Sequence, residues 1–159
     1  MQFNKTVSNP MLMGTAELVR AEDTPEHRNR FIAEMMKATF LAPAMVTPPP
    51  VMDEDGELRL VEDCEIQFPM LVTNEGKHYF MAYTNQRELD KWKSKEQHYN
   101  FCLNFNDYVG LLFGKNKLGL MTSALGFVIN PYGDDIIISK EMVAGLVAAR
   151  KQKESNPEI

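Results

Sequence analysis

Residues 126–139, Gly-Phe-Val-Ile-Asn-Pro-Tyr-Gly-Asp-Asp-Ile-Ile-Ile-Ser, restrict the possible folds of this chain more than any other segment. Two apolar runs, Phe127–Ile129 and Ile136–Ile138, flank a polar centre. Each run is too short for a helix and rich in residues that favour strands, so the segment reads as a hairpin. Pro131 presets its backbone angle for a turn, and Gly133 can take a positive φ without penalty. Asn130 and Asp134 can hydrogen-bond neighbouring amides. Each polar residue thus has a local structural task, although Tyr132, Asp134 and Asp135 could also meet a partner. Ile137 is expected in the core, where Ile137→Asp would bring a carboxylate and strongly destabilise the domain.

The same logic extends back along the chain. Ile66–Thr73 and His78–Thr84 lie on either side of Asn74-Glu-Gly76, which predicts a second hairpin. Thr84 or Asn85 then caps a surface helix to about Lys95, whose apolar face is chiefly Leu89 and Trp92. Asn9-Pro10 and Thr24-Pro25 each place a side-chain acceptor before a proline at the first helical position. Pro43 breaks the apolar run Phe40–Val46, which reads as an edge strand or extended segment. Leu58 and Leu60 suggest a short strand, and Tyr99–Leu103 another. A helix follows Asn106, with Gly114 as its C-cap, and Ser139 caps a final helix, Lys140–Lys151. Residues 1–8 and 152–159 are expected to fray. The result is an α+β domain: a mostly antiparallel mixed sheet built from hairpins, with about five helices packed on it.

At 159 residues, 44% of them hydrophobic and 25% charged, the chain suits one globular domain, 1–159. Its longest apolar runs fall far short of the roughly 18 residues a membrane span requires, so no membrane insertion is expected. The N-terminus lacks the apolar core of an export signal, and reduced thiols in the cytoplasm are expected. The net charge of −5 is uneven: residues 1–70 hold 6 Lys/Arg against 12 Asp/Glu, and the remainder 11 against 10. No basic surface with interleaved aromatics suggests nucleic acid.

Catalytic signals are weak. Cys102 follows His98 by four residues, a spacing that aligns on a helix but not on a strand; Cys64 and His78 lie in neighbouring strand regions and could meet. Neither pair has a third group to orient a base. The histidines and cysteines lack zinc spacing, and no phosphate loop, nucleophile elbow or dinucleotide fingerprint occurs, so neither metal nor cofactor is expected. The acidic run Asp53-Glu54-Asp55, with Glu57, Glu62, Asp63 and Glu65 nearby, fails as a calcium loop because Cys64 stands where a bidentate Glu is required. It reads as a solvated connector or as a landing surface for a basic partner.

The run GFVINPYGDDIIISKEMVAGL resembles the signature of the SseB family N-terminal domain. FPMLVTNEGKHYFMAYTNQRELDKW resembles the family's strand, Gly turn, strand and Thr-capped helix, and the helix around Phe31–Thr39 followed by FLAPAMV is a third, weaker match. In the right order, these blocks span roughly residues 25–150. The family is named for an enhanced serine sensitivity phenotype and is labelled a type III secretion protein in many bacteria, and many members continue into a second, C-terminal domain. The resemblance implies a bacterial, cytoplasmic protein and carries over no catalytic residue.

The expectation is therefore a non-catalytic interaction or adaptor module. It would use an unknown protein partner, or self-association through a sheet edge, at residues such as Asp53, Glu54, Asp55, Trp92, Tyr132, Asp134 and Asp135. The alternatives are an amino-acid-related metabolite sensor, suggested by the family name alone, and a cysteine enzyme.

Overall fold

The structure, a computed structural model, describes residues 2–3, 5–94 and 96–155. Strand β1 (Gln2–Phe3) precedes helices α1 (Pro10–Ala21) and α2 (Pro25–Lys37). Strand β2 (Thr39–Thr47) leads into four short strands: β3 (Val51–Met52), β4 (Leu58–Arg59), β5 (Glu65–Gln67) and β6 (Met70–Val72). Next come β7 (His78–Ala82), α3 (Gln86–Leu89), β8 (Tyr99–Asn104) and α4 (Phe105–Phe113). β9 (Gly126–Ile129), β10 (Ile136–Ser139) and α5 (Lys140–Ser155) complete the order.

The fold is α+β. One sheet has the order β1-β8-β2-β5, a second β10-β9-β7-β6, and β3–β4 forms a separate hairpin. The pairings are antiparallel apart from β7–β9, which is parallel. A bridge between Leu41 and Tyr83, with reciprocal amide-to-carbonyl bonds of 2.8 and 2.9 Å, joins the two larger sheets.

β2 shows how alternation builds the interior. Phe40, Ala42, Ala44 and Val46 enter the main core, whereas Leu41 faces a smaller cluster with Val7, Met81, Tyr83, Leu89 and Cys102. The main core closes around Phe40, Tyr108 and Phe127, with the last two rings stacked at 4.4 Å. Burying each such side chain contributes about 1.5–3 kcal/mol. β2 is an inner strand, not the expected edge. Pro43 is tolerated because its backbone nitrogen faces the same way as that of Leu41, away from β8, between the Tyr83 bridge and the β5 ladder.

Local signals start the helices, with adjustments. Thr24 caps α2 by accepting from the His27 amide at 3.1 Å. Asn9 makes no side-chain cap; it donates to the carbonyls of Thr39 (2.8 Å) and Thr84 (3.0 Å), tying the start of α1 to the strands. α4 starts at Phe105 under a reciprocal Asn104–Asp107 capping box, one residue ahead of Asn106. α3 ends at Leu89, far short of the expected helix to about Lys95, which itself lies outside the described residues. Leu89 and Trp92 alone bury too little to sustain further turns.

Other expectations are corrected. The segment Ile66–Thr73 is not one strand: it divides at Phe68-Pro69 into β5 and β6, which belong to different sheets. The N-terminal end is not frayed throughout, because Gln2 and Phe3 pair with Cys102 and Phe101; Met1 and Asn4 lie outside the described residues. α5 continues past Lys151 to Ser155, while residues 156–159 lie outside the described set. Ile137 is 52% exposed, and it is Ile138, at 1%, that enters the core opposite Phe127. The strand is as expected, but its two faces are exchanged.

Candidate functional site: a groove beside β10

The expected turn between β9 and β10 is built around Asn130, which is fully buried. Its Oδ1 accepts from the Thr84 amide (3.0 Å) and hydroxyl (3.3 Å), while Nδ2 donates to Thr84 Oγ1 (2.9 Å) and Asp134 Oδ2 (2.8 Å). Its carbonyl accepts from the amides of Gly133 and Asp135 at 2.9 and 2.8 Å. The positive φ angles fall on Asn130 (50°) and Asp135 (51°), not on Gly133 as expected. Gly133 instead lies against α3: a Cβ there would stand 2.7 Å from Glu88 Oε2 and 3.3 Å from Lys91 Nζ, the end groups of a flexible ion pair.

On the other side, Arg20 of α1 binds Asp134 Oδ1 at 2.5 Å. The turn is thus held from two directions, and Asp134, only 15% exposed, is committed to that framework. Asp135 and Tyr132 are exposed. The acidic pair therefore splits into one structural and one solvated carboxylate.

Beside Asp134 opens a groove of 340 Å³. Ala16 and Val19 of α1 and Phe31 and Ile32 of α2 form one wall; Ile136–Ile138 of β10 and Met142 of α5 form the other. Arg20, Arg28 and Asp134 stand at its margin. β10 is the end strand of its sheet. Lys140 donates to the Leu125 carbonyl at 2.8 Å, so by antiparallel alternation Ile136 and Ile138 bond β9 while the Ile137 N–H and C=O point outward. The groove thus combines apolar walls with an unpaired strand edge.

Asp53, Glu54 and Asp55 lie on the β3–β4 hairpin and do not line this groove. Asp53 is a turn residue: Oδ1 accepts from the amides of Asp55 and Glu57 (2.9 Å each), and Oδ2 from Arg59. The Arg59 guanidinium, followed by the Glu57 amide, holds its carboxyl below the usual range. Glu54 and Asp55 are exposed. Trp92 is half-buried against the smaller cluster, its ring 4.9 Å from that of His98. The acidic hairpin thus stands apart from the Asn130 turn, whereas Trp92 directly follows Lys91, one of the two residues against which Gly133 of that turn lies. Arg20, Arg28 and Met142 were not candidates, because only folding brings these helices beside β10. The unbroken triple isoleucine was a usable signal, since a strand with one wet face alternates.

Burial pushes the Cys102 thiol up, which disfavours a thiolate there. Cys64 is half-buried, and the His78 ring Nδ1 lies 2.9 Å from Ser123 Oγ. Among the described residues, no group of three or more His, Cys, Asp and Glu could hold a metal ion, and no helix is long and apolar enough to cross a membrane.

No curated protein and no solved structure matches the chain. The family model described as the SseB protein N-terminal domain matches residues 15–145, from the middle of α1 to the first turns of α5. With that span covering most of the helix pair, both larger sheets apart from β1, and the Asn130 turn, the chain belongs to the SseB family.

Proposed function

We propose that this domain is a non-catalytic protein-interaction module which captures an extended segment of a partner protein in the groove beside β10. The observation that carries the reading is the outward-facing Ile137 backbone at an open sheet edge, set against the apolar walls from α1 and α2. An added strand would bond that edge and place an apolar side chain in the groove. Arg20 and Arg28 at the margin favour a carboxylate on the incoming segment, since a guanidinium has donors beyond those used by one carboxylate partner.

Selection of displayed peptides on the purified domain tests this. Enriched sequences should alternate apolar residues and include Asp or Glu. Binding should disappear with Ile137→Lys, which places a charge on the edge, and weaken with Arg28→Glu. Enrichment unaffected by either change would sink the reading.

A second reading, a sensor of small amino-acid-related metabolites, is favoured by the groove volume of 340 Å³, inside the roughly 300–1,000 Å³ range of small-ligand sites. A carboxylate could meet Arg28 and an ammonium could meet Asp134. A metabolite at a hundredfold its dissociation constant would raise stability by about 2.7 kcal/mol, readable as a thermal shift.

A further inference from the structure

The connection between α4 and β9 folds into a small finger. Lys115 and Met121 bridge across its base. Asn116 organises the tip: its amide donates to the Leu120 carbonyl (2.9 Å), its Oδ1 accepts from the Leu118 and Leu120 amides (2.9 and 3.0 Å), and its carbonyl accepts from Gly119 (2.9 Å). Gly119 supplies the required positive φ of 75°. A turn so fully bonded is preorganised, yet what it displays is apolar. Leu118 is 81% exposed and Leu120 59%, with Met121 also outside. Holding leucines in water on an ordered turn stabilises nothing within the domain, whereas preorganisation lowers the ordering cost of binding.

The finger's surroundings indicate what covers it. Lys115 and Lys117 flank the leucines, and Lys117 Nζ lies 3.9 Å from Glu65 Oε1, with both side chains well exposed. Glu65 continues an exposed acidic strip with Glu62 and Asp63, and Leu60 just before it is exposed too. One patch therefore presents lysines, leucines and carboxylates side by side. A surface carrying both charges around an apolar centre is complementary to itself under a two-fold rotation. We propose that a second copy of this chain docks here, with the leucine fingers packed at the centre and the lysines of each copy facing the carboxylates of the other. The apolar contact supplies the affinity, and the charges set orientation and partner choice.

Sedimentation equilibrium over a concentration series reaching millimolar protein tests this. The wild type should show a reversible dimer that weakens as salt is raised. Leu118→Asp, at an exposed tip, should leave the melting temperature unchanged and the protein monomeric. Lys115→Glu/Lys117→Glu and Glu62→Lys/Glu65→Lys should each be monomeric alone, and an equimolar mixture should form a one-to-one dimer. A wild type that stays monomeric throughout would overturn the proposal, as would a dimer that survives Leu118→Asp. A monomer that instead binds phosphatidylserine vesicles through Leu118 would overturn it in favour of a lipid surface. Failure of peptide capture at β10 leaves these outcomes untouched, because the two surfaces share no residue.

Discussion

The Asn130 carboxamide and the Thr84 backbone amide are joined by a 3.0 Å hydrogen bond between two fully buried residues, one at the end of β9 and one just beyond β7. β7 and β9 are the parallel pair, so this bond closes the ladder where the chain turns away on both strands. Asn130→Gly should preserve the positive φ but leave the Thr84 amide unpaired, lowering stability by about 3 kcal/mol. Asn130→Ala should cost about 1 kcal/mol more, because it also meets the left-handed backbone penalty. Urea unfolding of the two variants would measure both terms, and equal losses would show that backbone conformation contributes nothing.

The two β10 isoleucines make opposite predictions. Ile138→Ala should lower stability by about 3 kcal/mol, since the side chain faces Phe127 in the core. Ile137→Asp should change it by less than about 1 kcal/mol, because about half of that side chain is in water and it lies outside the core. Thermal melts of both, alongside the wild type, would expose any error in the strand's facing.

The β9–β10 and β6–β7 hairpins are legible in the sequence because strand-forming residues and turn formers act locally. The facing of β10 is not: three successive isoleucines carry no alternation, and only the register Ile138–Phe127 chooses between them. The place of β2 is likewise hidden, since its neighbours β8 and β5 come from distant sequence. The polar turn is readable as a turn, with Asn130 and Asp134 as hydrogen-bonding residues. That Asp134 would be taken up by Arg20 depends on a helix more than a hundred residues earlier, and no local pattern reports such a meeting.

Stability should fall in alkali. Burial, with smaller contributions from Tyr132 and Glu88, pushes the Tyr83 phenol well above its ordinary value, and burial does the same to Tyr108. In the unfolded chain both lose protons near about pH 10, while in the folded chain both keep them. The unfolded state then binds fewer protons, so stability is fully present below about pH 10 and declines as pH rises above it. Tyr83→Phe removes a hydroxyl whose partner is the Met81 sulfur, at 3.2 Å, and should flatten part of that decline. Unfolding free energies between about pH 8 and about pH 11 would reveal the slope.

The Cys102 thiol should be protected from alkylation near neutral pH in the folded domain, reacting only as fast as the structure opens. Mass spectrometry after a timed pulse of iodoacetamide separates it from Cys64. Rapid labelling of Cys102 would revive a thiol-dependent enzyme, the reading its buried position argues against.

Two glycines near the β9–β10 hairpin should respond to the same substitution by very different amounts. Gly126 has φ 153°, and a Cβ there would fall 2.1 Å from the Ile138 carbonyl oxygen, a backbone atom fixed in the β9–β10 ladder. Nothing can move without parting the strands, so Gly126→Ala should destabilise by more than about 3 kcal/mol. At Gly133 the close atoms are the end groups of Glu88 and Lys91, and both side chains can swing aside. Their ion pair is partly exposed and contributes about 1 kcal/mol or less, so Gly133→Ala should cost no more than that. Comparable losses at the two sites would mean that the turn is clamped against α3 as firmly as the strands are held to each other.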